Sequence, residues 1–329
     1  MKKRLTYALF AVLLGLLTAP AWSQAGPVKL RFSHSHNTSD SQHIAAVEFA
    51  KKVKERTQGG VEIQIFPNNQ LGNDVSMVSG VRGGTVDIGA TGTPFLSGIV
   101  PRLNALDTPY IFENPQHVAK VMDGAIGKSL LDELGNFQIK GLAFWEVGFR
   151  SLANSRRPVN KAEDIKGLKV RTTPNPAHIK AFQLLGAAPQ PMPYAEVFSA
   201  LETKAVDGHE NPPNVMLSSK MFEVQKYLSL TRHAYTALVV FMNKKKFESL
   251  KPEYQKILLE EAAAAAIFQR NLNAKDEAAT LAELRKQGME INEKLDVESI
   301  KAIVKDETRK LFIDKHGDEL IKAIDAAAR

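Results

Sequence analysis

Between Pro252 and Gly288 the chain has no internal glycine or proline, and Ala, Glu, Leu, Lys and Gln dominate the stretch. Such residues favour the helical backbone, so the pattern predicts one helix, about 50 Å long at 1.5 Å per residue. No single small domain is that wide. A helix of this length has to lie along two packed units, unless it breaks near Asn271–Asn273.

Upstream, strands and helices alternate. Val28, Leu30 and Phe32 alternate with polar residues as a half-buried strand does. Ile44, Val47, Ala50 and Val53 then recur near helical spacing until Gly59-Gly60. Val61–Ile65 is a second strand ending in the turn cluster Pro67-Asn68-Asn69. A helix over Asp74–Val81, a stop at Gly83-Gly84 and a strand over Val86–Ala90 follow. This alternation argues for an α/β protein with mostly parallel sheet. In the middle, Leu142–Glu146, Leu168–Arg171, Ala205–Asp207 and Ala237–Met242 are short strands around helices such as His178–Leu185, and they read as a second sheet. No low-complexity linker separates the halves, so strands that cross over are expected to join them.

The first residues bear on compartment. Lys2, Lys3 and Arg4 precede an apolar run from Leu5 to Leu17, and Ser23-Gln24-Ala25 follows with small residues. This reads as a signal segment over residues 1–25, with Ala21 the alternative cleavage point; the run is shorter than the roughly 20 residues of a bilayer span. The chain has no cysteine, which excludes disulfides, thiolate chemistry and the lipidated cysteine of an anchored lipoprotein. A released exported protein of this kind is expected in a Gram-negative periplasm.

Three of the 43 Lys and Arg, and no Asp or Glu, lie in residues 1–25, so 40 basic side chains face 36 acidic ones in the rest. They are interleaved without a basic face, which argues against nucleic acid as a partner. Gly-x-Ser-x-Gly, His-Glu-x-x-His and phosphate-loop patterns are missing, so an enzyme has little support and no cofactor is expected. A Glu146 and His209 acid–base pair keeps an exported hydrolase or isomerase open as the rival reading.

Several segments, in order, resemble one family: Phe66-Pro-Asn-Asn-Gln-Leu-Gly72, Val81-Arg-Gly-Gly-Thr-Val-Asp87, Gly148-Phe-Arg150, Asp164-Ile-Lys-Gly-Leu-Lys-Val-Arg171, Met192-Pro-Tyr-Ala-Glu-Val197, Asp207-Gly-His-Glu-Asn-Pro212 and Phe222-Glu-Val-Gln-Lys-Tyr-Leu228. The chain is similar to the extracytoplasmic receptors of tripartite ATP-independent periplasmic (TRAP) transporters. Thr38–Ala46, Ser79–Gly84 and Leu228–Tyr235 look most like the sugar-acid, diketogulonate-type receptors. The resemblance implies a two-lobed, type II-like periplasmic binding protein with a cleft between its lobes and a long helix spanning both. It also implies delivery of a small organic acid to small and large membrane permease subunits. The expected lobes are residues 26–147 with 237–276, and residues 148–236 with 277–329; a monomer is expected. A receptor for an ATP-driven importer, or a chemoreceptor, shares this architecture.

Arg171 follows a strand and precedes a Pro-containing turn, the place where open α/β sheets bind ligands. Its planar fork matches a carboxylate with two parallel hydrogen bonds, and the resemblance makes it the substrate clamp, with Arg150 as the second arginine. A surface salt bridge for Arg171, or a partner for Glu146 in the case of Arg150, is the structural alternative. Asn211 offers an amide donor and acceptor, or merely a turn before Pro212. Ser35, His36, Thr91, Glu146 and Tyr194 complete the candidate ligand-binding set. Ser35 stands where the sialic-acid branch of the family has asparagine, and His209 where glutamine is usual. His34, His36 and His43 resemble a metal set, but no carboxylate joins them at a known spacing, so no metal is expected.

Overall fold

The protein is described here by a computed structural model covering residues 26–328; the expected signal segment lies outside them. Its first part runs β1 (Val28–His34), α1 (Ser41–Arg56), β2 (Val61–Phe66), α2 (Asp74–Gly83), β3 (Ile88–Gly92), α3 (Pro115–Met122), α4 (Ala125–Glu133) and β4 (Ile139–Asn154). Then follow β5 (Lys169–Thr172), α5 (Pro176–Leu184), β6 (Ala188–Pro191), α6 (Val197–Glu202), β7 (Gly208–Asn211), α7 (Pro213–Ser218) and β8 (Tyr227–Asn243). The chain ends with α8 (Lys244–Glu248), α9 (Pro252–Lys286), β9 (Glu290–Asn292), α10 (Val297–His316) and α11 (Glu319–Ala327). Among the described residues no helix is long and apolar enough to cross a membrane.

The strands form one nine-stranded sheet in the order β2-β1-β3-β8-β4-β7-β5-β6, with β9 beside β8. The second sheet expected from the sequence is therefore continuous with the first. Pairing at both flanks is parallel, while the central β4–β8 pair is antiparallel from Ile139↔Asn243 to Asn154↔Tyr227. These two long strands are the crossing strands; the sequence showed only their most apolar stretches, Leu142–Glu146 and Ala237–Met242. The strand expected at Ala205–Asp207 begins instead at Gly208. Asp207 caps the edge, its carboxylate accepting Lys169 N at 2.8 Å, and a Cβ on Gly208 would sit 2.3 Å from Ala153 O.

Residues 237–242 of β8 are apolar on both faces because both are covered. Leu238, Val240 and Met242 join Phe32, Phe49, Trp145 and Leu258 under α1 and α9. Ala237, Val239 and Phe241 join Leu103, Leu106, Val118, Val121 and Ile324 on the opposite face. In the other half, Val170, Phe182 and Ile300 form one core and Val197, Met216 and Leu284 another. The helix α9 runs unbroken for 35 residues. Its early turns pack with β1 and α1, and Leu281 and Leu284 pack with α6 and α7. At the C-terminal end, Ile300 and Val304 of α10 pack with α5, whereas Phe312 at the end of α10 and Ile321 and Ile324 of α11 lie in the core of α3.

Side-chain hydrogen bonds tie α9 to β4. Trp145 Nε1 donates to Ala262 O at 2.8 Å. The ladder slips between Glu146 and Gly148, which frees the backbone groups of Glu146. Gln269, fully buried in α9, accepts from Glu146 N at 2.9 Å and donates to Glu146 O at 2.8 Å. A buried amide lost without replacement costs about 1–3 kcal/mol. Gln269→Leu, though more apolar and of similar size, is therefore expected to destabilise the protein by that amount, measured as a lower urea midpoint with an unchanged slope.

Candidate functional site

The carboxyl ends of strands from both halves of the sheet meet around a small cavity. Ser35 and His36 come from just past β1, Gly92 from the end of β3 with Pro94 and Phe95 beyond it, and Asp74 from the start of α2. From the other side come Arg171 at the end of β5 and Thr173 just after it, Asn211 of β7 and Tyr194 ahead of α6; Val147, Arg150 and Thr236 lie on the crossing strands. The structure thus brings together Arg171, Arg150, Asn211, Tyr194, Ser35 and His36.

Arg150 reaches the cavity because β4 bulges. Gly148 takes φ +124° and packs against Pro212, with a further register shift after Arg150; bulges re-aim side chains in this way. The guanidinium is 2% exposed and already paired. Nε bonds Glu210 Oε2, and Nη2 bonds Glu210 Oε1 at 3.0 Å and Asn211 Oδ1 at 2.9 Å. His233 Nε2 lies 3.5 Å from the same carboxylate. Burial pushes the Glu210 carboxyl up, but Arg150, His233 and His178 together outweigh it and hold the group well below its usual range.

Arg171 is different. It is 1% exposed, and its Nε and Nη2 donate to a neutral acceptor, Met192 O, at 3.1 and 2.6 Å. Among the described residues no carboxylate stands within salt-bridge distance of it. Burial pulls its pKa down to about 10, still charged at neutral pH. A buried cation without an ion pair is costly and creates a strong demand for an anion. Asn211 Nδ2, also buried, has no partner among the described residues.

Asp74 was not foreseen as a site residue. An aspartate in the first turn of a helix is ordinarily explained by the helix itself, but here Asn73 is the cap, accepting from Ser76 N. Asp74, 2% exposed, accepts through Oδ1 from Ser35 Oγ at 3.0 Å and Thr91 Oγ1 at 2.6 Å. Its Oδ2 is buried without a donor among the described residues and belongs to a residue that lines the cavity.

Two expected site residues lie elsewhere. Thr91 supports Asp74 from the β3 ladder and does not line the cavity. Glu146 precedes the bulge and faces a groove along α9, bonded to Asn273 Nδ2 at 2.7 Å and Tyr235 Oη at 3.1 Å; burial raises its pKa. The three histidines do not converge: His34 Nε2 meets His43 Nδ1 at 3.2 Å, while His36 turns to Asp40. His209 is fully buried at the register of Arg171 and outside the cavity, and burial brings its pKa down to about 3.

Residues 32–315 match the family model of bacterial extracellular solute-binding proteins, family 7 (DctP). The chain is 42% identical to the 2,3-diketo-L-gulonate-binding periplasmic protein YiaO of Escherichia coli K12, over 98% of both chains. A TRAP periplasmic solute-binding protein from Polaromonas sp. JS666, solved bound to D-erythronate, is 37% identical with a TM-score of 0.88, covering 91% of this chain and 98% of its own. The sugar acid-binding protein DctPAm of Advenella mimigardefordensis, in complex with galactonate, is 32% identical with a TM-score of 0.87, covering 92% and 98%.

Behind the cavity, Asp107 is wholly buried, accepting from Thr93 Oγ1 at 2.8 Å and Asn175 Nδ2 at 3.3 Å. Burial drives its pKa up to about 8, against the opposing effects of the Thr93 bond and Arg150. An unfolded aspartate titrates near about 3.9, so between the two values the folded protein holds a proton that the unfolded chain has released. Stability therefore falls as pH rises from about 4 to about 8 through this group. Asp107→Asn is expected to flatten that slope, read from urea unfolding at about pH 5 and about pH 7.5.

Proposed function

This chain belongs to the DctP family of bacterial extracellular solute-binding proteins, and we propose that its cavity takes a polyhydroxylated monocarboxylate, a sugar acid. Members of the family are receptors of TRAP transporters and not enzymes, and this chain is a TRAP solute receptor. The observation that carries the ligand reading is the pairing state of the buried groups. Arg150 is neutralised by Glu210, so the unpaired charge is that of Arg171, which together with Asn211 Nδ2 fits one carboxylate. Asp74 Oδ2 wants a donor. A hydroxyl supplies one and a second carboxylate does not, which favours a hydroxy acid over a C4-dicarboxylate. Ser35, His36, Thr173 and Thr236 add hydroxyl-compatible groups around the same space.

The hinge of this reading lies at residues 147/148 and 236/237, which the pairing of Gly148 with Thr236 across the bulged crossing strands supports. Ligand shifts an open–closed equilibrium by its differential affinity for the closed form. The closed receptor, a monomer exported through its signal segment into the periplasm, then hands the acid to the small and large membrane subunits.

The test is a thermal-shift screen of protein unfolded, washed and refolded to remove any carried ligand. The panel is D-galactonate, D-erythronate, 2,3-diketo-L-gulonate, D-glucuronate and succinate. An acid at a hundred times its Kd stabilises by about 2.7 kcal/mol, a few degrees. We expect a shift with at least one sugar acid, none with succinate, and its loss in Arg171→Ala. A shift with succinate alone establishes the dicarboxylate reading instead, and no shift with any acid, or one indifferent to Arg171, overturns the clamp.

A further inference from the structure

Asp40 stands at the N-cap of α1 with extended backbone (φ −78°, ψ 146°), yet its side chain makes no capping bond. Aspartate is a preferred cap because its oxygen accepts from the first turn, so diverting it gives up helix stability. The carboxylate, 2% exposed, is used elsewhere. Its Oδ2 accepts from His36 Nδ1 at 3.2 Å and from Ser218 Oγ at 3.2 Å. His36 and Asp40 follow β1, whereas Ser218 ends α7, on the β7 side of the sheet. Asn37 crosses the same gap, its Nδ2 donating to Ser218 O. The neighbouring Ser219 bonds Tyr194 Oη. His36 and Tyr194 both line the cavity, their rings 6.1 Å apart and inclined at 32°. Of these two cavity rings from opposite halves, Tyr194 is held directly by Ser219, and His36 is held by Asp40, which Ser218 also bonds.

We propose that Asp40 is a positioning residue that couples ligand recognition to cleft closure, orienting His36 for the ligand and, through the same oxygen, latching Ser218 across the cleft mouth. With Nδ1–H committed to Asp40, the imidazole turns Nε2 toward the ligand, and as an acceptor there it suits a hydroxyl. A hydroxyl donated there polarises the ring and strengthens the bond to Asp40. Opening the cleft removes Ser218 and leaves the carboxylate with fewer donors, so bound ligand and closed mouth favour one another. The nature of the ligand rests on the sugar-acid reading; the latch does not.

The chain has no cysteine, so Lys51→Cys and Glu202→Cys, both exposed sites, give a unique spin-label pair across the cleft for pulsed EPR. Ser218→Ala, Asp40→Asn and the conservative Ser218→Thr are made in the full chain. Dissociation of D-galactonate and D-erythronate is followed by stopped flow. One charge-assisted bond corresponds to about a tenfold effect. Ser218→Ala should raise the dissociation rate about tenfold, leave association within about twofold, lower the closed population without ligand, and be rescued by threonine. Asp40→Asn should do the same and weaken affinity further. Unchanged dissociation rates and distance populations in both variants overturn the latch, as does a lower melting temperature with no kinetic change, which marks Asp40 as structural only. If neither acid binds the parent protein, the sugar-acid reading fails; the ligand-free distances then decide the latch, sustained by a smaller closed population in Ser218→Ala and overturned by equal ones.

Discussion

The antiparallel pairing of β4 with β8 is the constraint on which the other elements depend. Two strands of 16 and 17 residues run through both halves of the sheet, and the shorter parallel strands are added to either side. A perfectly regular ladder of this length would keep every alternate side chain on one face. Three register shifts break that alternation, and the one at Gly148 sits where the cavity begins. The irregularity leaves backbone groups to be satisfied, and buried Gln269 does so from the middle of α9. The long helix, the bulge and the position of Arg150 are therefore parts of one arrangement.

Around the cavity the electrostatics separates two arginines that look equivalent in sequence. Arg150 is held by Glu210, so its role is to present a fixed set of N–H groups within a neutral pair. Arg171 keeps its charge with only a peptide oxygen for company. Placing both cations unpaired in one small space would oppose burial of either. Compensating one and leaving the other without a salt-bridge partner keeps one guanidinium available to a ligand carboxylate, with the Asp74 carboxylate elsewhere in the same lining. Asp74 adds an acceptor whose second oxygen faces a similar deficit, and the complement of the whole set is an anion that also carries hydroxyl groups.

Much of this was legible beforehand. The uninterrupted stretch from Pro252 gave the spanning helix, because propensity summed over many residues is a strong local signal. Motif positions at strand ends single out Arg171, Arg150 and Asn211, and all three line one cavity. Glu146 misled because a period of two cannot register a bulge: one inserted residue sends the carboxylate to the α9 side while Arg150 goes to the cavity. Asp74 was overlooked since its place in a first helical turn already had an explanation, and only the tertiary contacts with Ser35 and Thr91 show that its carboxylate has another use. The single sheet could not be distinguished from two, as a strand's sequence states that it pairs but not with which neighbour. The return of α11 to α3 is likewise a long-range contact with no local signature.

That return has a consequence for how such receptors can be altered. The polypeptide passes between the two halves of the sheet through β4, through β8, along α9, and again within α10, whose Ile300 and Val304 pack with α5 and whose Phe312 packs with α3 and α11. Neither half is a continuous segment, so a single crossover between two related genes cannot exchange one intact half for another. It would leave strands from one parent paired with those of the other inside a shared core. Changes of ligand preference by recombination are thereby disfavoured, and small side-chain replacements at strand ends, which leave the crossings untouched, remain the accessible route by which one scaffold comes to hold different acids.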